Sequence, residues 1–358
     1  MTTTAPVPVA IRPRPATAAT TAMDAMPLDG PLVDRFGRAH RDMRLSVTDR
    51  CNFRCVHCLP EEGVTFLPRS EVLGYDEIVR AAAVARQLGI TSVRITGGEP
   101  LVRHGVPGLV ARLAEQGFDD LSLTTNGTEL GRLAPALAAA GLHRVNVSCD
   151  SLRPERFGQI RRRGRLAPVL AAMDAAEAAG LGPVKVNVVP IAGVNDDEIE
   201  SFARFARVTG RTVRFIEFMP LDGEGIWRRD QVVPADAVLA RIHARWPIEA
   251  VPAVGAARSA PAERYRFTDG GGEVGVIASV TRPFCGTCDR LRLTADGSLR
   301  NCLFAHEELS VRDLLRGSGS DEDIALLFRR AVWSKFPGHG INDPTFLRPA
   351  RSMSMIGG

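Results

Sequence analysis

The sequence predicts an α/β chain folded as a partial (β/α)6 barrel, followed by a smaller C-terminal domain. Three observations carry that expectation. Strand-like and helix-like periodicities alternate six times between residues 44 and 217. The polar residues of that stretch gather where strands give way to helices, and two separate cysteine trios stand at the start of the repetition and beyond its end.

Residues 1–28 are rich in Ala, Pro, Thr and Met, without the charged start and apolar core of a secretory signal, and read as a disordered leader. Residues 27–40 connect it to the fold. Alternation over 44–48 predicts a first strand that empties into Cys51, Cys55 and Cys58. An Ala/Leu/Ile stripe over 75–89, broken by Gly89, predicts a surface helix. Strands are then expected at 92–95, 120–124, 144–148, 184–189 and 212–217, with helices at 107–116, 130–140, 166–179 and 197–209. Six such units suit an open or partial barrel, with a closed eight-stranded barrel as the alternative.

After Pro220 the rhythm fails. The pattern predicts a helix at 235–245, an Ala/Pro-rich connection over 247–261, irregular antiparallel strands within 265–280, a strand at 290–294 entering a turn at Asp296 and Gly297, and a helix at 324–333. The expected divisions are a leader at 1–28, the barrel at 29–230, a second domain at 231–345 and a tail at 346–358.

The 358 residues suffice for one large or two ordinary cores. Hydrophobic residues make up 45% of the chain, and no apolar run reaches the roughly 18 residues that a membrane span needs. A net charge of +4 argues against a nucleic-acid or membrane-surface binder and allows local basic pockets for a small polyanion. The seven cysteines form two trios plus Cys149, which points to metal sites rather than a disulfide framework, and to a reducing, cytoplasmic compartment.

Cys51-x3-Cys55-x2-Cys58 supplies three thiolates, so a [4Fe–4S] cluster held there keeps one iron open to a non-protein ligand. The alternatives are a zinc site short of a ligand, an electron-transfer cluster or buried small hydrophobes. His57 sits between Cys55 and Cys58, where joint ligation of zinc would strain the loop. Cys285-x2-Cys288-x13-Cys302 repeats the incomplete pattern, with His306 and His339 as the nearest candidates to complete a zinc site. The Gly-Gly-Glu-Pro run at 97–100, residues 125–127, 148–150, Asn187 and residues 217–219 all fall at strand C-termini, where barrel loops converge around one mouth. Arg44, Arg94, Lys185 and Arg214 lie on different strands and could converge on phosphate oxygens, in a chain without a G-x4-G-K-[ST] loop. Alternation places Arg290 and Arg292 on one side of their strand.

On the first trio, the Gly-Gly-Glu-Pro run and the β/α repetition, the chain resembles the radical S-adenosylmethionine superfamily. With the second trio and the terminal Gly357 and Gly358 added, residues from about 41 to the end resemble the GTP 3',8-cyclase family of molybdenum cofactor biosynthesis. That resemblance implies a TIM-like partial barrel whose mouth is closed by a C-terminal iron–sulfur domain. It implies two [4Fe–4S] clusters, one on Cys51, Cys55 and Cys58 that chelates S-adenosylmethionine, the other on Cys285, Cys288 and Cys302 that binds the guanine edge of GTP. By the same resemblance, Gly97, Gly98, Glu99, Thr125, Ser148 and Met219 would contact S-adenosylmethionine. Arg44, Arg94, Thr96, Lys185, Arg214, Arg290 and Arg292 would contact GTP, and Gly357 and Gly358 would form a catalytic tail.

The implied reaction is reductive cleavage of S-adenosylmethionine, removal of the GTP 3' hydrogen by the 5'-deoxyadenosyl radical, and closure of C3' onto C8 to give (8S)-3',8-cyclo-7,8-dihydroguanosine 5'-triphosphate. The implied partners are GTP as substrate, a cyclic pyranopterin monophosphate synthase downstream and a cellular electron donor, with a homodimer as a candidate assembly and neither nucleic acid nor membrane. Two positions depart from the family pattern: Ser92 stands where a phosphate-binding lysine is frequent, and His57 where a tyrosine is common. The rival readings are a peptide-modifying radical enzyme, which usually carries a longer cysteine-rich C-terminal module, and a non-catalytic electron-transfer or zinc-stabilised protein.

Overall fold

A computed structural model describes residues 25–253 and 259–357. Most of the expected leader, and Gly358 of the tail, lie outside the described residues.

The barrel follows from two-residue alternation. In β1 (Asp42–Ser46), Met43 and Leu45 are fully buried on the face that meets the helices, and Asp42, Arg44 and Ser46 turn the other way. The pattern repeats in β2 (Ser92–Thr96), β3 (Asp120–Thr125), β4 (Arg144–Ser148), β5 (Lys185–Val188) and β6 (Thr212–Ile216), which pair in parallel and in chain order. Around them pack α1 (Tyr75–Gln87), α2 (Val106–Ala114), α3 (Leu130–Ala139), α4 (Pro154–Arg161), α5 (Leu166–Ala178) and α6 (Ile199–Thr209). Their buried Ala, Leu, Ile and Val stripes form one core with the outer faces of the strands. Helix α4 was not foreseen, because only Phe157 and Ile160 are apolar in its eight residues.

Beyond α7 (Ala235–Arg245) the chain adds strands to both edges of the same sheet. Its order is β12 (Leu309–Ser310), β11 (Ser298–Arg300), β10 (Arg290–Leu293), β1 through β6, β9 (Glu273–Ile277), β8 (Glu263–Phe267) and β7 (Ile248–Val251), and its outermost strands do not meet, so the barrel stays open. β7 corrects the expected connection over 247–261. β8 and β9 are antiparallel as expected, but β9 also runs parallel on β6, and β10 runs parallel on β1. Eight consecutive strands, from β10 through β1–β6 to β9, are therefore parallel. Four consecutive buried residues in β9 mark a strand covered on both faces, as parallel sheets require. β11 and β12 complete the far edge. α8 (Arg312–Arg316) and α9 (Asp321–Trp333) follow, the latter started by a capping box between Ser320 and Asp323.

A short α10 (Met353–Ile356) ends the described chain. It belongs to a second, smaller core of Leu221, Val232, Val280, Phe304, Ile341 and Ile356. Among the described residues, no helix is long and apolar enough to cross a membrane.

Candidate active site

Backbone crowding shapes the first cysteine loop. The Gly98 amide donates to the Thr48 carbonyl at 2.7 Å and the Glu99 amide to the Arg50 carbonyl at 2.8 Å. A Cβ on Gly97 would stand 2.5 Å from the Thr48 oxygen, and one on Gly98 2.5 Å from the Arg50 oxygen. The two glycines thus admit the segment that leads into Cys51. Glu99 is buried and accepts from the Thr125 hydroxyl at 2.7 Å and from the amides of Asn126 and Leu101 at 2.6 and 3.0 Å. Burial raises its carboxyl to about 7 in spite of these donors. Asn126 in turn donates to the Asn52 side chain at 2.7 Å, beside Cys51.

From the opposite side, Arg161 at the end of α4 donates to Cys55 Sγ at 3.1 Å and pairs with Asp150 at 2.8 Å. His57 lies 3.7 Å from the same carboxylate. Burial, then the neighbouring thiols, pushes Cys51 up to about 12 and raises Cys58 as well.

The second trio lines a cavity of about 170 Å³ together with Met219, Phe304, His339, Asn187, Arg290 and Arg292. Arg290 donates to Cys288 Sγ at 3.2 Å and lies over the Phe284 ring at 4.6 Å. Burial opposes ionisation of Cys288, but the charges of Arg290 and Lys335 prevail and bring its thiol down to about 7. His339 packs on Phe304, its Nδ1 engaged by the Ile341 amide, and His306 faces the Leu347 carbonyl. Among the described residues, no group of three or more His, Cys, Asp or Glu side chains is placed to hold a single metal ion. Each trio offers thiols with cations close by, Arg161 at Cys55 in the first and Arg290 and Lys335 at Cys288 in the second, a donor set that suits an iron–sulfur cluster.

Beside the second trio the barrel interior is polar and positive. Cross-strand partners run Arg292, Arg44, Arg94, Ser122, Arg144 in one row, and Thr124, Asn146, Lys185, Thr212 in another. Ser148, Asn187 and Arg214 form a third. Arg44, Arg94 and Arg214 line both the cysteine cavity and a basin of about 1100 Å³ at the N-terminal ends of the strands. The basin also includes Arg144 and Lys185, each the first residue of its strand. The mouth at the strand C-termini therefore accounts for only part of the constellation expected from sequence. Burial, followed by repulsion from Arg144, Arg214 and Arg94, lowers Lys185 to about 8. Burial and neighbouring arginines likewise lower Arg214 and Arg292 to about 9. Ser92, at the position of the frequent lysine, donates to Asp120 at 3.2 Å.

The tail enters this interior. Arg348 pairs with Asp222, and Arg351 bridges Asp296 and Glu308 at 2.7 Å each. The Met353 amide donates to the Leu221 carbonyl, and the Ser354 amide reaches the Cys58 thiol. Gly357 adopts a φ of +85°, and a Cβ there would meet Ser46 Cβ at 2.7 Å and Thr96 Cγ2 at 3.2 Å. Its carbonyl accepts from Arg292 at 2.5 Å.

Residues 45–206 match the Radical SAM superfamily, and residues 211–341 match Molybdenum Cofactor Synthesis C. The chain is 50% identical over 329 residues to a GTP 3',8-cyclase of Streptomyces coelicolor, covering 91% of this chain and 96% of that protein. The chain belongs to the GTP 3',8-cyclase family. A GTP 3',8-cyclase of Mycolicibacterium smegmatis is 49% identical over 340 residues, 93% of each chain. Among solved structures, Streptococcus suis SuiB bound to precursor peptide SuiA superposes with a TM-score of 0.57 at 13% identity, covering 88% of this chain and 77% of that one. The anSMEcpe enzyme with bound AdoMet superposes with a TM-score of 0.54 at 14% identity, covering 84% and 79%. These likenesses support the open α/β barrel.

In this member of the family, the structure also gathers residues that sequence reasoning had not singled out. Arg161 braces the first trio and Asn52 joins it, each through a partner in a stretch already expected, Asp150 and Asn126, and Arg144 and Asn146 extend the polar rows. A signal existed for the last two, since Arg144, Asn146 and Ser148 alternate along β4. Met219 lines the cavity of the second trio, and the Thr125 hydroxyl proton is engaged by Glu99.

Proposed function

We propose that this chain joins C3' to C8 of GTP, the reaction named for its relatives, as the first step of molybdenum cofactor biosynthesis. The observation that carries the reading is the cavity of the second thiol trio, which shares Arg44, Arg94 and Arg214 with a cation-lined basin. Cys51, Cys55 and Cys58 would hold one [4Fe–4S] cluster with S-adenosylmethionine, and Cys285, Cys288 and Cys302 a second that takes guanine. When bound, the first cluster and S-adenosylmethionine would supply the one-electron radical chemistry that removes the 3' hydrogen of GTP.

The chain's own residues bind, orient and enclose. Arg44, Arg94, Lys185 and Arg214 offer charge-assisted donors to the triphosphate, with Thr96 beside them. Gly97, Gly98, Glu99, Thr125, Ser148 and Met219 border S-adenosylmethionine. Arg290 and Arg292 line the space between the trios, and Arg292 holds the Gly357 end of the tail within it. Gly357 and Gly358 together would form the catalytic tail that the family resemblance implies. In domain terms, residues 29–230 serve as the radical-generating barrel, 231–345 as the second cluster unit and 346–358 as the tail. A cellular reductant supplies the electron, a cyclic pyranopterin monophosphate synthase consumes the product, and the cytoplasm is the expected compartment.

Anaerobically reconstituted protein given GTP, S-adenosylmethionine and dithionite should yield 5'-deoxyadenosine together with the 3',8-cyclised triphosphate, followed by mass analysis. 5'-Deoxyadenosine without a cyclised nucleotide would overturn the substrate, and purified protein lacking iron–sulfur absorption would overturn the reaction class.

A further inference from the structure

Lys335 follows α9 and is only 3% exposed. Its ammonium donates to Cys288 Sγ at 3.4 Å and to the Arg290 carbonyl oxygen at 2.9 Å. Among the described residues, it forms no ion pair with a carboxylate, and Cys288 Sγ is the sulfur it reaches. A buried ammonium is costly without a counter-charge, and a cluster-bound Cys288 would supply one.

The two trios differ in this respect. Arg161, which reaches Cys55 in the first trio, shares its charge with the Asp150 carboxylate. In the second, Cys288 Sγ takes both Arg290 and Lys335, and Lys335 has no acid beside it to neutralise its charge. Hydrogen bonds to sulfur and nearby positive charge favour the more negative, reduced state of an iron–sulfur cluster. Arg290 is already expected to face the substrate, whereas Lys335 approaches from the α9 side.

We propose that Lys335 is a positioning residue of the second cluster, donating to Cys288 Sγ and making that cluster easier to reduce. The inference rests on the two-cluster reading above. It concerns one electron, passed from an external reductant to the second cluster, with no bond made or broken.

The test is a dithionite titration of the complete reconstituted enzyme, followed by electron paramagnetic resonance. The second cluster's signal is the one absent from Cys288→Ala. In Lys335→Met its midpoint should shift to a more negative potential while the first signal stays put, and Lys335→Arg should bring it back. An unshifted midpoint in Lys335→Met with full iron overturns the proposal. If Lys335→Met folds by circular dichroism but loses iron from the second site alone, retention of that iron in Lys335→Arg supports the proposal and its loss there overturns it. If Lys335→Met does not fold, Lys335→Gln is judged by the same criteria. Wild-type enzyme with a single cluster signal would instead overturn the two-cluster reading.

Discussion

Arg292 donates to the Gly357 carbonyl oxygen at 2.5 Å, which ties the strand after the second cysteine loop to the end of the tail. Because Gly357 also sits against Ser46 and Thr96, one residue joins β1, β2 and β10 inside the barrel. A side chain there has no room, and an L-residue disfavours its φ of +85°.

Gly357→Ala should therefore drive the tail out of the interior while leaving the main core intact. The backbone penalty is about 1–2 kcal/mol and falls on the tail rather than the barrel. Cyclised product, measured by mass spectrometry, should drop at least about tenfold, for a loss of transition-state stabilisation of about 1.4 kcal/mol or more. Thermal unfolding should move little. Unchanged product formation would show that the tail's position is immaterial.

Lys185 sets a pH dependence. Its folded pKa of about 8 lies below the usual lysine value because of burial and neighbouring arginines. As pH rises through 8, the free enzyme loses this charge, so KM for GTP should climb while kcat holds. Between about 8 and the unfolded value of about 10.4, the folded state binds fewer protons than the unfolded one, so Lys185 contributes stability that increases with pH in that window. Lys185→Met should flatten the KM profile and raise KM about 10-fold or more at pH 7, the loss of one charge-assisted contact of about 1.5–3 kcal/mol. A Met variant with the wild-type pH profile would remove Lys185 from the phosphate site.

Arg161→Met leaves Asp150 buried without its guanidinium and Cys55 without its donor. Breaking a buried pair from one side costs about 3–5 kcal/mol. Chemical denaturation should show a loss of that order, and iron bound per chain should fall by about half, the share of one of two clusters. Iron retained in full would mean that the first loop organises without Arg161.

Gly98→Ala introduces a Cβ 2.5 Å from the Arg50 carbonyl oxygen, a backbone atom that cannot swing away. Overpacking of this kind costs about 1–3 kcal/mol. The displaced segment leads straight into Cys51, so S-adenosylmethionine binding, followed by calorimetry, should weaken at least about tenfold, or about 1.4 kcal/mol. Wild-type affinity would mean that residues 48–50 adjust freely.

Much of the barrel was legible in the sequence because each strand carries two messages. Met43 and Leu45, or Val93 and Ile95, announce the core, while Arg44 and Ser46, or Arg94 and Thr96, announce a polar interior. The cysteine trios were equally plain, since their spacing is local. The parallel attachment of β9 and β10 was not, because it depends on which distant edge each strand finds. Nor could Arg161 be weighted above the arginines around it: its role comes from α4 bringing it between Asp150 and Cys55. Gly357 is expected in the tail by resemblance alone; its contacts with Ser46, Thr96 and Arg292 depend on strands far away in the chain.

The edge strands also impose an order of assembly. β1 and β6 acquire their outer partners only from β10 and β9, late in the chain. A nascent polypeptide that has made only the first six strands presents two bare edges, the kind of surface on which growing chains adhere to one another. Synthesis that stops there leaves the first cysteine trio without the added strands, the second trio and the tail whose Ser354 amide reaches Cys58. Finishing the sheet and bringing the two trios into one fold thus happen together, so a truncated chain keeps its first cysteine loop but not the parts that pack beside it.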